Sequence, residues 1–145
     1  MRIFIGLTLD QEQKSYLKEV QDVVKLTTIK GTFTHFNNFH ITLKYIGHAT
    51  NIEVESLKDI MDEVSSNTSS FSLKIGDFGA FTRKNSSIIW IGITKGNGSL
   101  SALYQKIETK CVESGFKPDN RKYKPHITLG KKVVFANGHN IVELP

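Results

Sequence analysis

The sequence of 145 residues contains a single cysteine, Cys111, so no disulfide can form within the chain. It has no apolar run near the ~20 residues that a membrane-spanning helix requires. The apolar stretch after Arg2 is short, carries no A-x-A-like cleavage site and leads directly into a charged segment, which predicts no signal peptide. These absences predict a protein of a reducing compartment, the cytoplasm by default, that does not bind a membrane.

Sequence signatures of bound metal ions and nucleotides are missing as well. The chain has neither an H-E-x-x-H arrangement nor paired cysteines. Two histidines 86 residues apart, His40 and His126, could ligate zinc, but no third ligand stands at a recognisable spacing. It also lacks a glycine-rich phosphate loop of the G-x-x-x-x-G-K type. The sequence therefore predicts no metal site and no other cofactor.

Composition places the chain among ordinary globular proteins. Apolar residues make up 39% and charged residues 23%, and the length corresponds to one domain or to two small lobes that share a core. The net charge is +5 and the pI about 9.3, which permits a polyanionic partner such as RNA without requiring one.

The most informative feature is a stretch of four residues that occurs twice. His-Ile-Thr-Leu stands at 40–43 and again at 126–129, 86 positions later. The same offset aligns residues 3–8 (IFIGLT) with residues 89–94 (IWIGIT), where four of six residues are identical. Because one offset aligns two separate blocks, the sequence predicts an internal duplication.

Both HITL stretches are flanked by apolar and β-branched residues, which predicts strands. Side chains alternate faces along a strand, so His40 and Thr42 share one face while Ile41 and Leu43 share the other. The second copy repeats this arrangement with His126 and Thr128. If the copies pack about a pseudo-twofold axis, two imidazoles and two hydroxyls face one cleft. Imidazoles suit general acid and base roles, and hydroxyls suit phosphate oxygens.

The rest of the chain alternates between strand and helix patterns. Predicted strands cover residues 2–9, 39–46 (ended by Gly47), 71–81, 87–94 and a segment opened by Pro125. Predicted helices cover Asp10 to about Leu26, about 52–65 after a cap at Thr50 or Asn51, and about 100–114 after a cap at Ser99. Residues 136–145 predict a turn at Asn137-Gly138 and a short terminal piece.

Four segments give the chain a family resemblance: MRIFIGL at the N-terminus, HITLKYIG at 40–47, GAF with IIWIGI at 79–81 and 88–93, and KPHITLGK at 124–131. The sequence resembles the 2H phosphoesterases, which are defined by two H-x-[ST]-x motifs. It is most similar to the bacterial and archaeal RNA 2′,3′-cyclic phosphodiesterases, also called 2′-5′ RNA ligases. The resemblance implies one two-lobed α/β (α+β) domain over residues 1–145, in which antiparallel sheets carry outer helices and an internal repeat (about 2–47 and 88–133) surrounds a central cleft.

The resemblance also implies roles for the motif residues. His40 would protonate the leaving 3′ oxygen of a 2′,3′-cyclic phosphate, and His126 would activate the attacking water. Thr42 and Thr128 would donate hydrogen bonds to the non-bridging oxygens, although β-propensity alone also explains a threonine in a strand. The expected partner is an RNA or oligonucleotide with a 2′,3′-cyclic phosphate end, and the expected assembly is a monomer.

Three further residues are candidates for substrate binding. Lys44 shares the strand face of His40 and Thr42, although an exposed strand lysine is the simpler interpretation. Arg83 follows Phe81 where the family often has a basic loop residue. Tyr123 lies in a basic loop before the second motif, which suits either RNA binding with base stacking or plain solvation. Three other histidines lack a motif and are interpreted as surface residues: His35, His48 and His139.

The sequence leaves two alternatives open. One is another 2H phosphoesterase that acts on 2′-5′ oligonucleotides or cyclic ADP-ribose phosphates, because the motifs specify chemistry at phosphorus and not the nucleobase. The other is a non-catalytic module that binds RNA ends. The chain also stops about fifteen residues after Gly130, whereas family members usually continue with a further strand. This departure leaves the substrate range open.

Overall fold

The computed structural model describes residues 1–136, so the turn expected at Asn137-Gly138 and the surface position expected for His139 lie outside the described residues. Within that part the chain forms strands and α-helices in mixed order: β1 (Arg2–Thr8), α1 (Gln11–Lys25), β2 (Thr28–Phe33), a 3₁₀ turn (Phe36–Asn38), β3 (His40–His48), α2 (Asn51–Ser66), β4 (Lys74–Arg83), β5 (Ser86–Lys95), α3 (Asn97–Glu113) and β6 (His126–Phe135). This order confirms the predicted α/β class.

The first two helices begin where their capping sequences predict. In α1 the Asp10 carboxylate accepts from the Gln13 N–H at 2.8 Å, and the Gln13 side chain accepts from the Asp10 N–H at 3.2 Å. In α2 Thr50 and Glu53 form the same reciprocal box, with distances of 3.1 and 2.8 Å. Each box satisfies backbone donors that the first helical turn leaves unpaired.

The third helix begins three residues earlier than Ser99 predicts. Its N-cap is Gly96, which adopts a left-handed conformation with φ +94°. A Cβ at this position would collide with the carbonyl oxygen of Ser72, so both the backbone angle and the available space favour glycine. The Gly96 carbonyl then accepts from the Leu100 N–H at 3.0 Å and closes the first turn.

Strand ends also differ from the expectations. Strand β3 continues through Gly47, which has φ +85°, and ends at His48, so the predicted end at Gly47 is wrong. Strand β4 begins at Lys74, three residues after the predicted start, and continues to Arg83. Only Lys84 and Asn85 connect it to β5, as in an antiparallel hairpin, and Lys84 has the positive φ of +51° that such a tight turn favours.

The described chain divides into two compact units. Unit 1 comprises Met1–Leu7, Thr42–Lys74 and Ile93–Pro125. Helices α2 and α3 pack against each other in this unit. Its core includes buried side chains along β1 and the two helices: Ile5, Leu57, Ile60, Val64, Leu100, Tyr104, Ile107 and Cys111. Burial raises the pKa of the Cys111 thiol, because the charged thiolate is disfavoured away from water.

Unit 2 comprises Thr8–Ile41, Ile75–Gly92 and the described residues from His126 onward. Its four-stranded sheet has the order β2-β6-β5-β4, and β6 runs antiparallel to both neighbours. Helix α1 covers β2 and β6. The helix and the sheet share one apolar core: Leu17, Val20, Val24, Ile89, Ile91, Ile127, Leu129 and Val133.

Strands β1 and β3 pair in a separate two-stranded sheet, and β5 and β6 are neighbours in the larger one. These are the two pairs of segments that share sequence at the offset of 86 residues. The division of the chain into two related halves remains a prediction. No helix in residues 1–136 combines the length and the apolar character needed to cross a membrane.

Candidate active site

The two HITL stretches each open a strand and have the same burial pattern. Isoleucine and leucine point into the core in both copies, since Ile41, Ile127 and Leu129 have 0% exposure and Leu43 has 4%. The histidine and threonine of each copy are half-buried. The predicted alternation of faces is therefore confirmed in both strands. An apolar pair fixes each strand to its core, and an imidazole and a hydroxyl occupy the opposite face.

The His40 ring is fixed by the backbone just before it. Its Nδ1 atom lies 2.6 Å from the carbonyl oxygen of Asn38, in the 3₁₀ turn that precedes β3. A carbonyl oxygen only accepts, so the tautomer that fits this contact carries a hydrogen on Nδ1. Phe39, with 1% exposure, anchors the chain between turn and strand. The side chain of His35 accepts from the Asn37 N–H at 3.2 Å and caps the same turn.

His126 has aromatic neighbours on two other strands of its sheet, Trp90 on the adjacent strand β5 and Phe81 on β4 beyond it. The Phe81 ring meets its imidazole edge to face, with ring centroids 5.7 Å apart and an interplanar angle of 84°. The ring centroid of the Trp90 indole lies 6.0 Å from that of the same imidazole. In the β5–β6 register Gly92 is directly opposite His126 and Trp90 is opposite Thr128, so the indole reaches the imidazole from the diagonal position.

The backbone around Thr128 is held by two residues without a sequence motif. Gln21 is buried in α1 and its amide donates to the carbonyl oxygens of Thr34 at 2.8 Å and Leu129 at 2.9 Å. The Thr34 hydroxyl donates to the Thr128 carbonyl oxygen at 2.9 Å, and the Thr34 N–H donates to Leu129 at 2.9 Å. The only sequence signal for this network is a glutamine within the apolar stripe of α1.

Lys44 has a different environment from the one its sequence pattern suggests. The expectation of an exposed strand lysine is wrong, since Lys44 is 4% exposed. Its ammonium lies 2.5 Å from Glu108 Oε1 and donates to the Lys117 carbonyl at 3.0 Å. The other carboxylate oxygen of Glu108 accepts from the Asp119 N–H at 2.7 Å. The charge of Lys44 is thus balanced inside unit 1, and we do not include Lys44 among the phosphate ligands proposed below.

Tyr123 is half-buried and packs within unit 1. Its ring stacks on Tyr104, with centroids 4.2 Å apart and planes 2° from parallel, so Tyr104 covers one face of it. Its hydroxyl donates to the Thr42 carbonyl oxygen at 3.0 Å. Burial, with a smaller contribution from Tyr104, raises the pKa of Tyr123 to about 12. Base stacking by Tyr123 stays a prediction. The hydrogen bond from its hydroxyl to the Thr42 carbonyl is an additional contact with the first motif strand.

Arg83 is the last residue of β4 and is exposed beside the turn at Lys84. Its predicted role in substrate binding stays a prediction. His48 is likewise exposed, at the end of β3, as is His35, and both match the expected surface positions. Across the described residues 1–136, no group of three or more His, Cys, Asp or Glu side chains is arranged to hold a metal ion.

A surface cavity of about 390 Å³ lies in unit 1, next to the buried Lys44. Residues 44–46 of β3 and residues 116–121 after α3 line it. Its charged groups have both signs, since Asp119 pairs with Arg121 at 3.3 Å. The hydrogen bond from the backbone N–H of Arg121, with a smaller contribution from its guanidinium, lowers the pKa of the Asp119 carboxyl. Neither motif histidine lines this cavity.

Two strands that each open with a histidine and a threonine on one face match the pattern that defines the 2H phosphoesterases. The chain belongs to the 2′-5′ RNA ligase superfamily, whose model matches residues 14–143. The fold is also that of Escherichia coli LigT: the apo crystal structure superposes with a TM-score of 0.76 at 22% identity, over 99% of this chain and 77% of that one.

Curated relatives from several organisms have sequences similar to this one. The chain is 24% identical to an RNA 2′,3′-cyclic phosphodiesterase of Methanothermobacter thermautotrophicus, over 99% of this chain and 78% of the relative. It is 26% identical to the Thermotoga maritima protein of that name, over 90% and 70% of the two chains. For the Geobacillus stearothermophilus protein of that name, 28% identity extends over 89% of this chain but only 41% of the relative.

Proposed function

We propose that this protein is an RNA 2′,3′-cyclic phosphodiesterase that uses two histidines as acid and base and needs no metal ion. The family, the fold and the names of its relatives support this activity. The substrate is an RNA or nucleotide with a 2′,3′-cyclic phosphate end, and the protein acts on it as a monomer in the cytoplasm. A LigT structure contains 3′-AMP, which is consistent with a binding site for a nucleotide end in this fold.

In this mechanism a water molecule attacks phosphorus opposite the 3′ oxygen. Neutral His126 takes a proton from the water as its oxygen bonds to phosphorus, and the bond from phosphorus to the 3′ oxygen breaks. Protonated His40 gives its Nε2 proton to that oxygen, so the products are a 2′-phosphate and a 3′-hydroxyl. Each proton transfer contributes on the order of 10²–10⁴ in rate. Exchange with solvent then restores both protonation states.

The two threonines bind the phosphate in this proposal. Hydroxyl groups of Thr42 and Thr128 donate to the non-bridging oxygens, where negative charge increases as water adds. Each threonine shares a strand face with its histidine. Each is only half-buried, so part of its side chain is exposed and a phosphate can reach it. A threonine hydroxyl donates a hydrogen bond without gaining or losing a proton, so the imidazoles remain the acid and the base.

One observation carries the proposal: two separate strands open with the same four residues in the same burial pattern. A strand needs an apolar pair for packing, but packing gives no reason for a histidine two residues from a threonine on the other face. An accidental match at one strand is plausible because short motifs recur by chance. Two matches with the same exposure favour a shared chemical role.

The test is product analysis with a 2′,3′-cyclic mononucleotide in the presence of EDTA. Wild type should release the 2′-phosphate, whereas His40→Ala and His126→Ala should each lose turnover by about 10²–10⁴-fold while still binding product. His48→Ala is the matched control, because His48 is an exposed histidine at the far end of the same strand as His40. The control should keep wild-type turnover.

Other outcomes would redirect the proposal. A 3′-phosphate product would reverse the choice of leaving oxygen, and loss of activity in EDTA would contradict acid–base catalysis by histidines alone. No turnover by wild type would favour a different 2H substrate, which 2′-5′ oligoadenylate tests, or a module that binds RNA ends without cleavage. When a 5′-hydroxyl end replaces water as nucleophile, the same two roles form a 2′-5′ linkage, so adding such an RNA tests the ligase direction.

A further inference from the structure

The indole of Trp90 lies against the backbone of the neighbouring strand at Gly79. A Cβ built on Gly79 would overlap Cζ2 and Cη2 of the indole and lie 2.7 Å from Cε2. Gly92 leaves space on another side of the indole, since a Cβ there would lie 3.3 Å from Cζ3 of Trp90. Such close approach is a reason for glycine within a strand. Two glycines therefore leave the space in which this ring lies.

The ring placed in this way belongs to a cluster of three that includes His126. Phe81 and Trp90 lie 5.3 Å apart with an interplanar angle of 36°, and both contact the imidazole of His126. Gly92, directly opposite His126 in the sheet, offers no side chain to orient the imidazole. The two aromatic rings supply this packing from Trp90 on β5 and Phe81 on β4.

Hydrogen bonding does not explain why a tryptophan occupies position 90. Its indole N–H is buried and has no acceptor within bonding distance among residues 1–136. A buried donor without a partner is unfavourable, so the side chain contributes through the area and shape of its ring. This makes a specific expectation possible: a smaller aromatic ring should replace Trp90 better than an aliphatic side chain.

We propose that Gly79, Phe81 and Trp90 form a positioning unit for His126, in which the glycine admits the indole and the two rings fix the orientation of the imidazole. None of the three transfers a proton, so they are positioning residues and not catalytic ones. The kinetic part of this proposal depends on the proposed function, because it assigns His126 as the base. The geometric part depends only on the contact between Trp90 and His126.

Kinetics distinguish positioning from a purely structural role. Trp90→Leu should lower kcat by about 10- to 100-fold with little change in KM, because a displaced base is out of line with its proton while the phosphate ligands remain. Trp90→Phe should keep most of the wild-type kcat. Thermal unfolding of each variant, followed by circular dichroism, measures the folded fraction. Equal kcat in the Phe and Leu variants, or a fall explained by unfolding alone, would overturn the proposal.

Gly79→Ala tests the collision itself. It should lower kcat in the wild-type background, where the added methyl group displaces the indole. In the Trp90→Phe background the same substitution should cost much less, since the atoms it would overlap are gone. An equal cost in both backgrounds would contradict this account of Gly79. If Gly79→Ala does not fold, the comparison of Trp90→Phe with Trp90→Leu still decides whether the rings position His126.

Fluorescence gives a readout that needs no turnover, because Trp90 is the single tryptophan of the sequence. A protonated imidazole near an indole quenches its emission, so emission should fall as pH decreases through the range of about 5–8 in which imidazoles gain a proton. The fall should be absent in His126→Asn and reduced in Gly79→Ala. It should persist in His35→Asn, in which an exposed histidine of the same unit is replaced.

The two readouts separate two failures. If the enzyme turns over 2′,3′-cyclic nucleotides through His126 but its fluorescence shows no step that depends on His126, the positioning proposal is wrong and the proposed function stands. If the fluorescence step is present but no cyclic nucleotide is turned over, the contact is established and the proposed function fails. In that case the ring cluster positions His126 for a different substrate, which the 2′-5′ oligoadenylate assay identifies.

Discussion

The two motif strands begin with the same residues and the same burial pattern, yet different neighbours hold them. In β3 the His40 ring is hydrogen-bonded to the Asn38 carbonyl, and in β6 the His126 ring packs against Phe81 and Trp90. The strands also diverge immediately after the motif, where Lys44 corresponds to Gly130. A repeated motif thus specifies which face each side chain occupies, while the contacts of each histidine outside the motif differ between the two copies.

The residue that follows each motif, Lys44 or Gly130, also has different surroundings in the two strands. In unit 1 Lys44 is buried in an ion pair with Glu108. The other carboxylate oxygen of Glu108 accepts from the Asp119 N–H in the loop after α3. In unit 2 a Cβ at Gly130 would lie 3.0 Å from the ring of Phe33 on the paired strand β2, so β2 packs where a side chain would otherwise stand. Each strand has adapted to its own neighbours beyond the four shared residues.

The largest expected effect distinguishes the acid role of His40 from the base role of His126. If His40 must be protonated and His126 neutral, wild-type kcat/KM should follow a bell-shaped pH profile. His40→Ala should remove the decrease at high pH, and His126→Ala should remove the decrease at low pH, each at a rate lowered by about 10²–10⁴-fold. Residual rates measured from about pH 5 to 9 test this. Identical residual profiles for both variants would contradict separate acid and base roles.

The second prediction separates structural from catalytic use of Lys44. Lys44→Met leaves the Glu108 carboxylate buried without its partner, which should lower the free energy of unfolding by about 3–5 kcal/mol. The double variant Lys44→Met with Glu108→Leu should recover much of this loss, because no charge then remains buried. Urea denaturation measures both. Removing Lys18 from its exposed pair with Asp22 should cost less than about 1 kcal/mol and serves as control.

An opposite pattern would restore the phosphate role for Lys44. If Lys44→Met kept wild-type stability and raised KM for the cyclic phosphate, the ion pair would be incidental and the lysine would bind substrate. The buried geometry predicts the reverse, because the ammonium is already satisfied by a carboxylate and a carbonyl.

The same pair illustrates what the sequence could and could not predict. Local rules were sufficient for the alternation of HITL and for the starts of α1 and α2, since the contacts involved lie within one strand or helical turn. Lys44 meets a carboxylate 64 residues away, and Gln21 meets a carbonyl 108 residues away. No local pattern encodes such partners, so a lysine expected at the surface lies inside, and a glutamine among apolar residues received no role.

The third prediction tests how the second motif strand is supported. Gln21→Leu keeps the size of the side chain but removes its two donated hydrogen bonds, leaving the carbonyls of Thr34 and Leu129 with fewer donors. The free energy of unfolding should fall by about 1–3 kcal/mol. Gln105→Leu on the exposed face of α3 is the matched control and should have little effect. Unfolding by urea compares the two, and equal losses would show that the buried network adds nothing.

The smallest expected effect concerns the first motif strand. Tyr123→Phe removes the hydroxyl that donates to the Thr42 carbonyl, which should cost about 0.5–1.5 kcal/mol. The pH dependence gives a second test, because the pKa of Tyr123 is about 12 in the fold and an unfolded tyrosine has a pKa of about 10. Between these values the unfolded chain loses a proton that the folded chain keeps, so stability should fall as pH rises from about 10 to 12.

Tyr123→Phe should remove that part of the pH dependence and leave the rest unchanged. The informative quantity is the difference in stability between wild type and variant, measured by urea denaturation at several pH values from neutral to alkaline. The difference should be constant below about pH 10 and should shrink above it, because ionisation then favours the unfolded wild type. A constant difference up to pH 12 would mean that the Tyr123 hydroxyl is not held in a buried hydrogen bond, and the first motif strand would then lack this support.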